Sequence, residues 1–280
     1  MTDRRSPDAF ATRPWANSPP PRDPDMDAVP TMLAQEERDF YHWLTSSWTQ
    51  DAGDVVDLGC YLGGSTARLA AGHAAGRKTS TIHAYDRFTS DERTKERILY
   101  RQGIPPFEGN DIFPISQRLL APWSDRVRLR RGEIEAIGWD GGPIELLVVD
   151  AFKKADLTDV MTDQFYPWLI PGKSLIVHQD YLHWSQPWVA AQMELLGEAV
   201  TPVAFARDDT VAWLVEQPLT PAKLTAARVG ALSDADLLDL LAKAEARFES
   251  WGLAPRLALS ARALRANPGA RMAWQMKMPG

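Results

Sequence analysis

Residues 54–66 read Asp54-Val55-Val56-Asp57-Leu58-Gly59-Cys60-Tyr61-Leu62-Gly63-Gly64-Ser65-Thr66. A short apolar run ends in glycine, and an Ala-rich stretch with Ser65 and Thr66 at its start follows. The pattern predicts a strand, a tight turn and a helix. Glycine is needed where the chain turns sharply and where a ligand must touch backbone without a Cβ in the way. The amides at a helix start point at whatever lies beyond the strand. Asp86 closes the next expected strand, TIHAYD (81–86), of alternating character, at 86 − 59 = 27 positions after Gly59. In doubly wound folds an acidic residue at that place accepts hydrogen bonds from ribose hydroxyls. The dinucleotide fingerprint G-x-G-x-x-G is not met, because Tyr61 stands at the middle glycine, and this weakens a nicotinamide oxidoreductase reading.

Outward from this turn, strand patterns alternate with helical ones. RVRLRRG (126–132), IELLVVDA (144–151) and KSLIVHQDY (173–181) read as further strands. The run at 144–151 is continuously apolar, as expected of a strand covered on both faces. Helical stretches at 155–170 and 186–199 separate these strands from a closing pair, 200–209 and 210–217, joined by an Asp-Asp turn. The alternation predicts an α/β, Rossmann-like, doubly wound, mostly parallel seven-stranded sheet with a terminal antiparallel hairpin. A helix is expected over 31–48 behind Pro30, and one around Glu92–Arg101 inside an otherwise irregular segment, 90–122. Residues 1–29 hold six prolines and few clustered apolar residues, which reads as a flexible or docking arm. Residues 30–218 form the expected central domain. A helical extension follows over 219–280, with Ser233 capping one helix that ends at Gly252.

Composition narrows the function classes. The 280 residues carry 31 Lys and Arg against 37 Asp and Glu, a net charge of −6, with 45% hydrophobic and 24% charged residues. The mean hydropathy is −0.30 and the isoelectric point about 5.4. So acidic a chain lacks the electrostatic footprint of a duplex-binding protein. The single cysteine, Cys60, excludes an internal disulfide framework and a multi-cysteine zinc site. No apolar run reaches the roughly 20 residues that span a bilayer. A cytoplasmic protein acting on a small molecule is expected, with neither nucleic acid nor membrane as partner; a homodimer stays open.

A second group of residues follows the fourth and fifth strands. In open α/β sheets the ligand crevice lies at the carboxyl ends of the strands, so Asp150 and Asp180 are expected there. Paired carboxylates repel unless a cation or proton intervenes. A hard divalent ion, Mg²⁺ by choice, suits such oxygen ligands and would hold and deprotonate a substrate oxygen.

The glycine turn with Asp86 resembles motifs I and II of class I S-adenosylmethionine-dependent methyltransferases. The segments IELLVVDAFKKADL and LIPGKSLIVHQDYLHW resemble those of cation-dependent small-molecule O-methyltransferases, the catechol, caffeoyl-coenzyme A and macrocin types. The resemblance covers roughly residues 53–217. It implies S-adenosylmethionine as cofactor and methyl transfer to a hydroxyl of a small molecule. Cofactor contacts are then expected from Asp57, Gly59, Tyr61, Gly63, Ser65, Asp86, Arg87, Glu133 and Asp150. It also implies metal ligands at Asp150, Gln179 and Asp180, and catalytic roles for Lys153, His178 and Asp180, with the Lys153 ammonium stabilising the acceptor oxyanion and, through a depressed pKa, also able to take its proton. Gln179 stands where that group usually has a carboxylate, and Phe152 where an aspartate often follows the Asp-Ala pair. These departures keep open a nucleoside-binding module without catalysis. Elsewhere His183 is a further base candidate, Lys154 reads as a solvated neighbour, and Trp184, Trp188 and Cys60 read first as packing residues.

Overall fold

The computed structural model describes residues 4–207 and 209–279. Seven strands form one sheet: β1 (Asp54–Leu58), β2 (Ile82–Asp86), β3 (Val127–Arg131), β4 (Ile144–Val149), β5 (Leu175–His178), β6 (Val200–Ala206) and β7 (Thr210–Val215). Their order is β3-β2-β1-β4-β5-β7-β6. The sheet is mostly parallel. β1 pairs with β2 and β2 with β3 in parallel, in a register that sets Asp57 opposite Ala84 and Asp86 opposite Arg131. β7 runs antiparallel to both β5 and β6, with an irregularity between Pro202 and Ala204. The closing hairpin is therefore present, and its second strand lies between β5 and its own partner. Half of the Asp-Asp turn, Asp208, lies outside the described residues. All six positions of β4 are buried, as a strand covered on both faces requires. β2 was expected to alternate, yet its first four residues are all buried.

The chain divides into two compact units. One holds residues 6–137 and 142–148, the other residues 138–141 and 149–280 with Arg4 and Arg5. In the first unit β1 and β2 bury Val55, Val56, Leu58, Ile82 and Ala84, and the helix Gly64–Ala75 adds Leu69 and Ala70. The expected helix over 31–48 begins later, at Gln35, and finishes as a π-turn over Leu44–Trp48. Residues 8–27 carry three four-residue helices. Phe10 and Trp15 from them are buried against Phe40, Trp43 and Trp48, with ring centroids 4.6–6.1 Å apart. The buried Arg68 guanidinium donates to the Val29 carbonyl at 2.9 Å and to that of Gly64 at 3.0 Å. In the segment 90–122, a helix that periodicity did not reveal spans Phe113–Leu119. The buried Lys95 there donates to the carbonyls of Phe107 and Gly109.

The second unit buries Phe165, Ile176, Val177, Trp188 and Trp213, together with Leu237 and Leu241 of the helix Asp234–Arg247. That helix opens on a reciprocal cap between Ser233 and Asp236 and ends at Arg247, short of the expected Gly252, which at φ 73° closes a following 3₁₀ turn, Glu249–Trp251. A last helix spans Ala254–Ala266. Among the described residues no helix is long and apolar enough to cross a membrane.

Candidate active site

The turn after β1 is built from backbone. Gly59 and Gly63 take φ of 90° and 101°, the left-handed region glycine enters without strain. At Gly63 a Cβ would also meet Leu120 Cδ1 at 2.6 Å. Tyr61 adopts φ 52°, the left-handed conformation that favours glycine. Strain of that kind costs a bulky residue on the order of 1–3 kcal/mol and persists only where the surroundings hold it. Here the surroundings are Asp86 and Ser90. The Tyr61 amide donates to Asp86 Oδ2 at 2.9 Å, and its hydroxyl lies 2.6 Å from Ser90 Oγ. The Phe88 amide, from a second residue at positive φ, donates to Asp86 Oδ1 at 2.6 Å. Each carboxylate oxygen of Asp86 accepts one backbone N–H and carries a second lone pair for a ligand hydroxyl. A hollow of about 430 Å³ opens there, lined by Tyr61, Asp86, Arg87, Thr89, Ser90 and Asn110 among others. That volume lies within the range of small-molecule sites.

The other expected cofactor residues of this unit divide by role. Asp57 is buried and accepts the hydroxyls of Ser65 and Thr66 on Oδ2, each at 2.7 Å. Ser65 thus braces the turn through Asp57. Burial pushes the Asp57 carboxyl up to about 6. Burial also raises Asp86, against the two amides that favour its charged form. Arg87 is exposed beside the hollow. Glu133 is exposed and follows Gly132, whose amide donates to the Asp86 carbonyl at 3.0 Å. Cys60 is buried, and its thiol is pushed well up by burial, so it is a packing residue.

In the second unit the carboxyl ends of β4 and β5 carry a network of side chains. The Lys153 ammonium donates to Asp150 Oδ1 at 2.5 Å and also to Asp180 Oδ2. Gln179 Nε2 donates to Asp150 Oδ2 at 3.1 Å, and Gln186 Nε2 to Asp180 Oδ2 at 2.6 Å. The two carboxylate side chains are about one-fifth exposed and Lys153 38%, so the network is reached from solvent. Burial tends to discharge all three groups. For Lys153 the two carboxylates outweigh burial and hold the ammonium above its ordinary range. Burial raises Asp150, while Lys153 and Gln186 together outweigh burial at Asp180 and hold it low. Lys153 was expected to double as a base through a depressed pKa. The shift runs the other way, and the residue is a fixed cation.

The loop bearing Lys153 is pinned from several sides. Trp188, fully buried, donates through Nε1 to the Phe152 carbonyl at 2.7 Å. Phe152 is buried and its ring lies 5.3 Å from that of His178. The C-terminal segment closes the loop with an antiparallel bridge: the Ala273 amide donates to the Lys153 carbonyl at 2.8 Å, and the Ala155 amide to that of Arg271 at 3.0 Å. Sequence reasoning missed both Gln186 and residues 271–273. Gln186 falls six places after Asp180 with no motif around it, and the pairing of 271–273 with 153–155 leaves no periodic trace.

No protein-family model and no curated protein sequence matches the chain. Among solved structures, the O-methyltransferase NovP aligns over 67% of this chain and 82% of its own, at 15% identity and a TM-score of 0.52. The chain has the class I methyltransferase fold. The SAH-bound methyltransferase PaMTH1 of Podospora anserina aligns over 75% of this chain and 95% of its own, at 12% identity and a TM-score of 0.48.

In this methyltransferase fold two expectations need correction. The first is Mg²⁺ at Asp150, Gln179 and Asp180. An ion bound by both aspartates needs their oxygens at about 2.0–2.1 Å. The Lys153 ammonium already bridges those oxygens, and amide N–H groups from Gln179 and Gln186 face the same carboxylates. This donor set does not fit a divalent metal. Among the described residues no group of three or more His, Cys, Asp or Glu could hold one. The second is His178 as a base. It is buried, its Nε2 lies 3.0 Å from the Tyr166 hydroxyl, and burial pushes its pKa down to about 3. It is a neutral, interior hydrogen-bonding group. His183 lies against Ser185 Oγ at 2.8 Å through Nδ1 and stacks on Trp184.

Proposed function

We propose that the chain is an S-adenosylmethionine-dependent methyltransferase acting on the oxygen of a small hydroxylated molecule. The observation that carries this reading is Asp86, fixed by two backbone amides at the end of β2 and lining a hollow of about 430 Å³ beside the glycine turn. Its second lone pairs accept the ribose hydroxyls of the cofactor, while Gly59 and Gly63 let the backbone come close to it. When bound, S-adenosylmethionine supplies a sulfonium methyl group, whose C–S bond breaks as a C–O bond to the acceptor forms. The acceptor hydroxyl lies against the Lys153 ammonium. Asp150, the less acidic of the two carboxylates, takes its proton, and the ammonium stabilises the negative charge that develops on oxygen. Asp180 and Gln186 hold the ammonium in place. Catalysis then rests on positioning and one fixed charge.

Calorimetry with S-adenosylhomocysteine tests the cofactor half. Asp86→Asn removes a charged acceptor and is expected to weaken binding by about 1.5–3 kcal/mol, roughly tenfold to a hundredfold or more. Unchanged affinity in the folded variant would overturn the assignment. The self-satisfied Asp150–Lys153–Asp180 network also suits a module that binds a nucleoside without catalysis. Tight binding with no methyl transfer to any hydroxylated acceptor would select that reading.

A further inference from the structure

We infer that Lys153 is this protein's resident cation: its ammonium takes the place of a divalent ion between Asp150 and Asp180, and it masks a latent metal site. The catalytic part of this inference rests on the methyltransferase reading above; the metal-site part does not. Two carboxylates at the ends of neighbouring strands would carry a charge of −2, which cannot stand in a partly buried place without a counter-cation. The chain supplies one from its own sequence three residues after Asp150. The ammonium donates to Asp150 Oδ1 at 2.5 Å and also to Asp180 Oδ2, the two oxygens a bridging ion would need. The surrounding residues fit the smaller charge. Where the resembled group usually has a carboxylate, Gln179 offers a neutral amide whose N–H group faces Asp150. Gln186 sends a second N–H group to Asp180. Phe152, where the resembled group often has an aspartate, is buried against His178 and adds no charge. These departures leave two carboxylates as the only anionic groups of the network, and the ammonium offsets one of their two charges. The backbone of the loop is also anchored. The Phe152 carbonyl is held by Trp188 and the Lys153 carbonyl by Ala273.

A covalently tethered cation needs no uptake and cannot be lost to a chelator. Its single charge polarises an acceptor oxygen less than a divalent ion does, which suits an acceptor whose hydroxyl is already fairly acidic, such as a phenol or enol.

Electron paramagnetic resonance with Mn²⁺ as the probe tests this directly. The wild-type protein is expected to leave the free Mn²⁺ signal unchanged up to millimolar metal. Lys153→Met removes the ammonium and keeps most of the apolar stem, leaving Asp150, Asp180 and a rotatable Gln179 amide oxygen. It is expected to gain a Mn²⁺ site with a dissociation constant of about 0.1–1 mM or tighter, the range of weak oxygen-donor sites. Asp150→Asn in the Lys153→Met background should abolish that gain. Lys153→Gln serves as a second neutral variant, and a thermal melt reports whether each is folded. Mn²⁺ binding by the wild type at Asp150 and Asp180 would overturn the inference. So would the absence of Mn²⁺ binding in both folded neutral variants. Calorimetry with S-adenosylhomocysteine on the same samples keeps the two readings apart. A wild type that binds neither Mn²⁺ nor the nucleoside would sink the methyltransferase reading and leave the metal comparison standing.

Discussion

The two ends of the proposed chemistry are made of different material. Around Asp86 the site is main chain: two glycines at positive φ, a tyrosine holding a glycine's conformation, and two amides on one carboxylate. Around Lys153 it is side chain, with two carboxylates, one ammonium and two amides satisfying one another. A backbone site is fixed by the path of the chain and leaves lone pairs over for a ligand. A side-chain network spends its charges internally and can be rewired by a single substitution. The first should therefore tolerate change in identity where φ is kept, while the second should respond sharply to one altered charge.

The largest effect is expected at the network. Lys153→Met should lower kcat by about 10²–10³-fold, the loss typical of one fixed donor to a developing oxyanion, with nucleoside affinity nearly unchanged. Lys154→Met should do little, since Lys154 lies over the exposed Trp274 ring, 5.5 Å from its centroid. Equal small effects from both would end the distinction between the two lysines, and with it the contrast between the regions.

The next effect is a pH dependence with one histidine in each region. Burial pushes His178 down to about 3 and His73 down to about 4, against 6.5 in an unfolded chain. Between pH 6.5 and about 4 the unfolded chain binds more protons at these positions. Stability from them is thus complete above pH 6.5 and falls as the pH falls, by up to about 1.4 kcal/mol per pH unit each. Asp57, raised to about 6, acts in the opposite sense between 3.8 and 6, because there the folded state holds the extra proton. Comparing wild type with His178→Phe cancels that term. The variant's melting temperature should fall less steeply on acidification from pH 6.5 to 5. Parallel slopes would show that His178 is not buried in its neutral form.

The smallest effect concerns the C-terminal bridge. Ala273→Pro deletes one N–H donor to the Lys153 carbonyl and is expected to cost about 0.5–1.5 kcal/mol of stability. It should lower kcat modestly and leave nucleoside affinity alone. A loss of affinity with kcat intact would mean that the bridge serves the wrong region.

The same difference of material explains what the sequence made legible. The strands, the glycine turn and Asp86 could be read because backbone demands are local: glycine at a sharp turn, an apolar run for a covered strand, an acid at its end. The network was read only in part. Asp150, Lys153, Gln179 and Asp180 were singled out, but their partners were not, since a metal and an ammonium satisfy the same two carboxylates. Only geometry shows that Lys153 bridges both, that Gln186 joins it and that Ala273 holds its loop. The helix Phe113–Leu119 went unseen for a related reason: Pro114 at its start and a Gly-rich approach read as loop. Proline in the first turn is compatible with a helix.

The central claim is that the Asp86 hollow takes an adenosyl cofactor. Mass spectrometry of small molecules released from natively purified wild-type protein and from Asp86→Asn tests it most directly. The account predicts S-adenosylmethionine or S-adenosylhomocysteine from the wild type, strongly depleted in the variant. Release of a nicotinamide dinucleotide, or of an adenosyl compound in equal amount from both proteins, would contradict it.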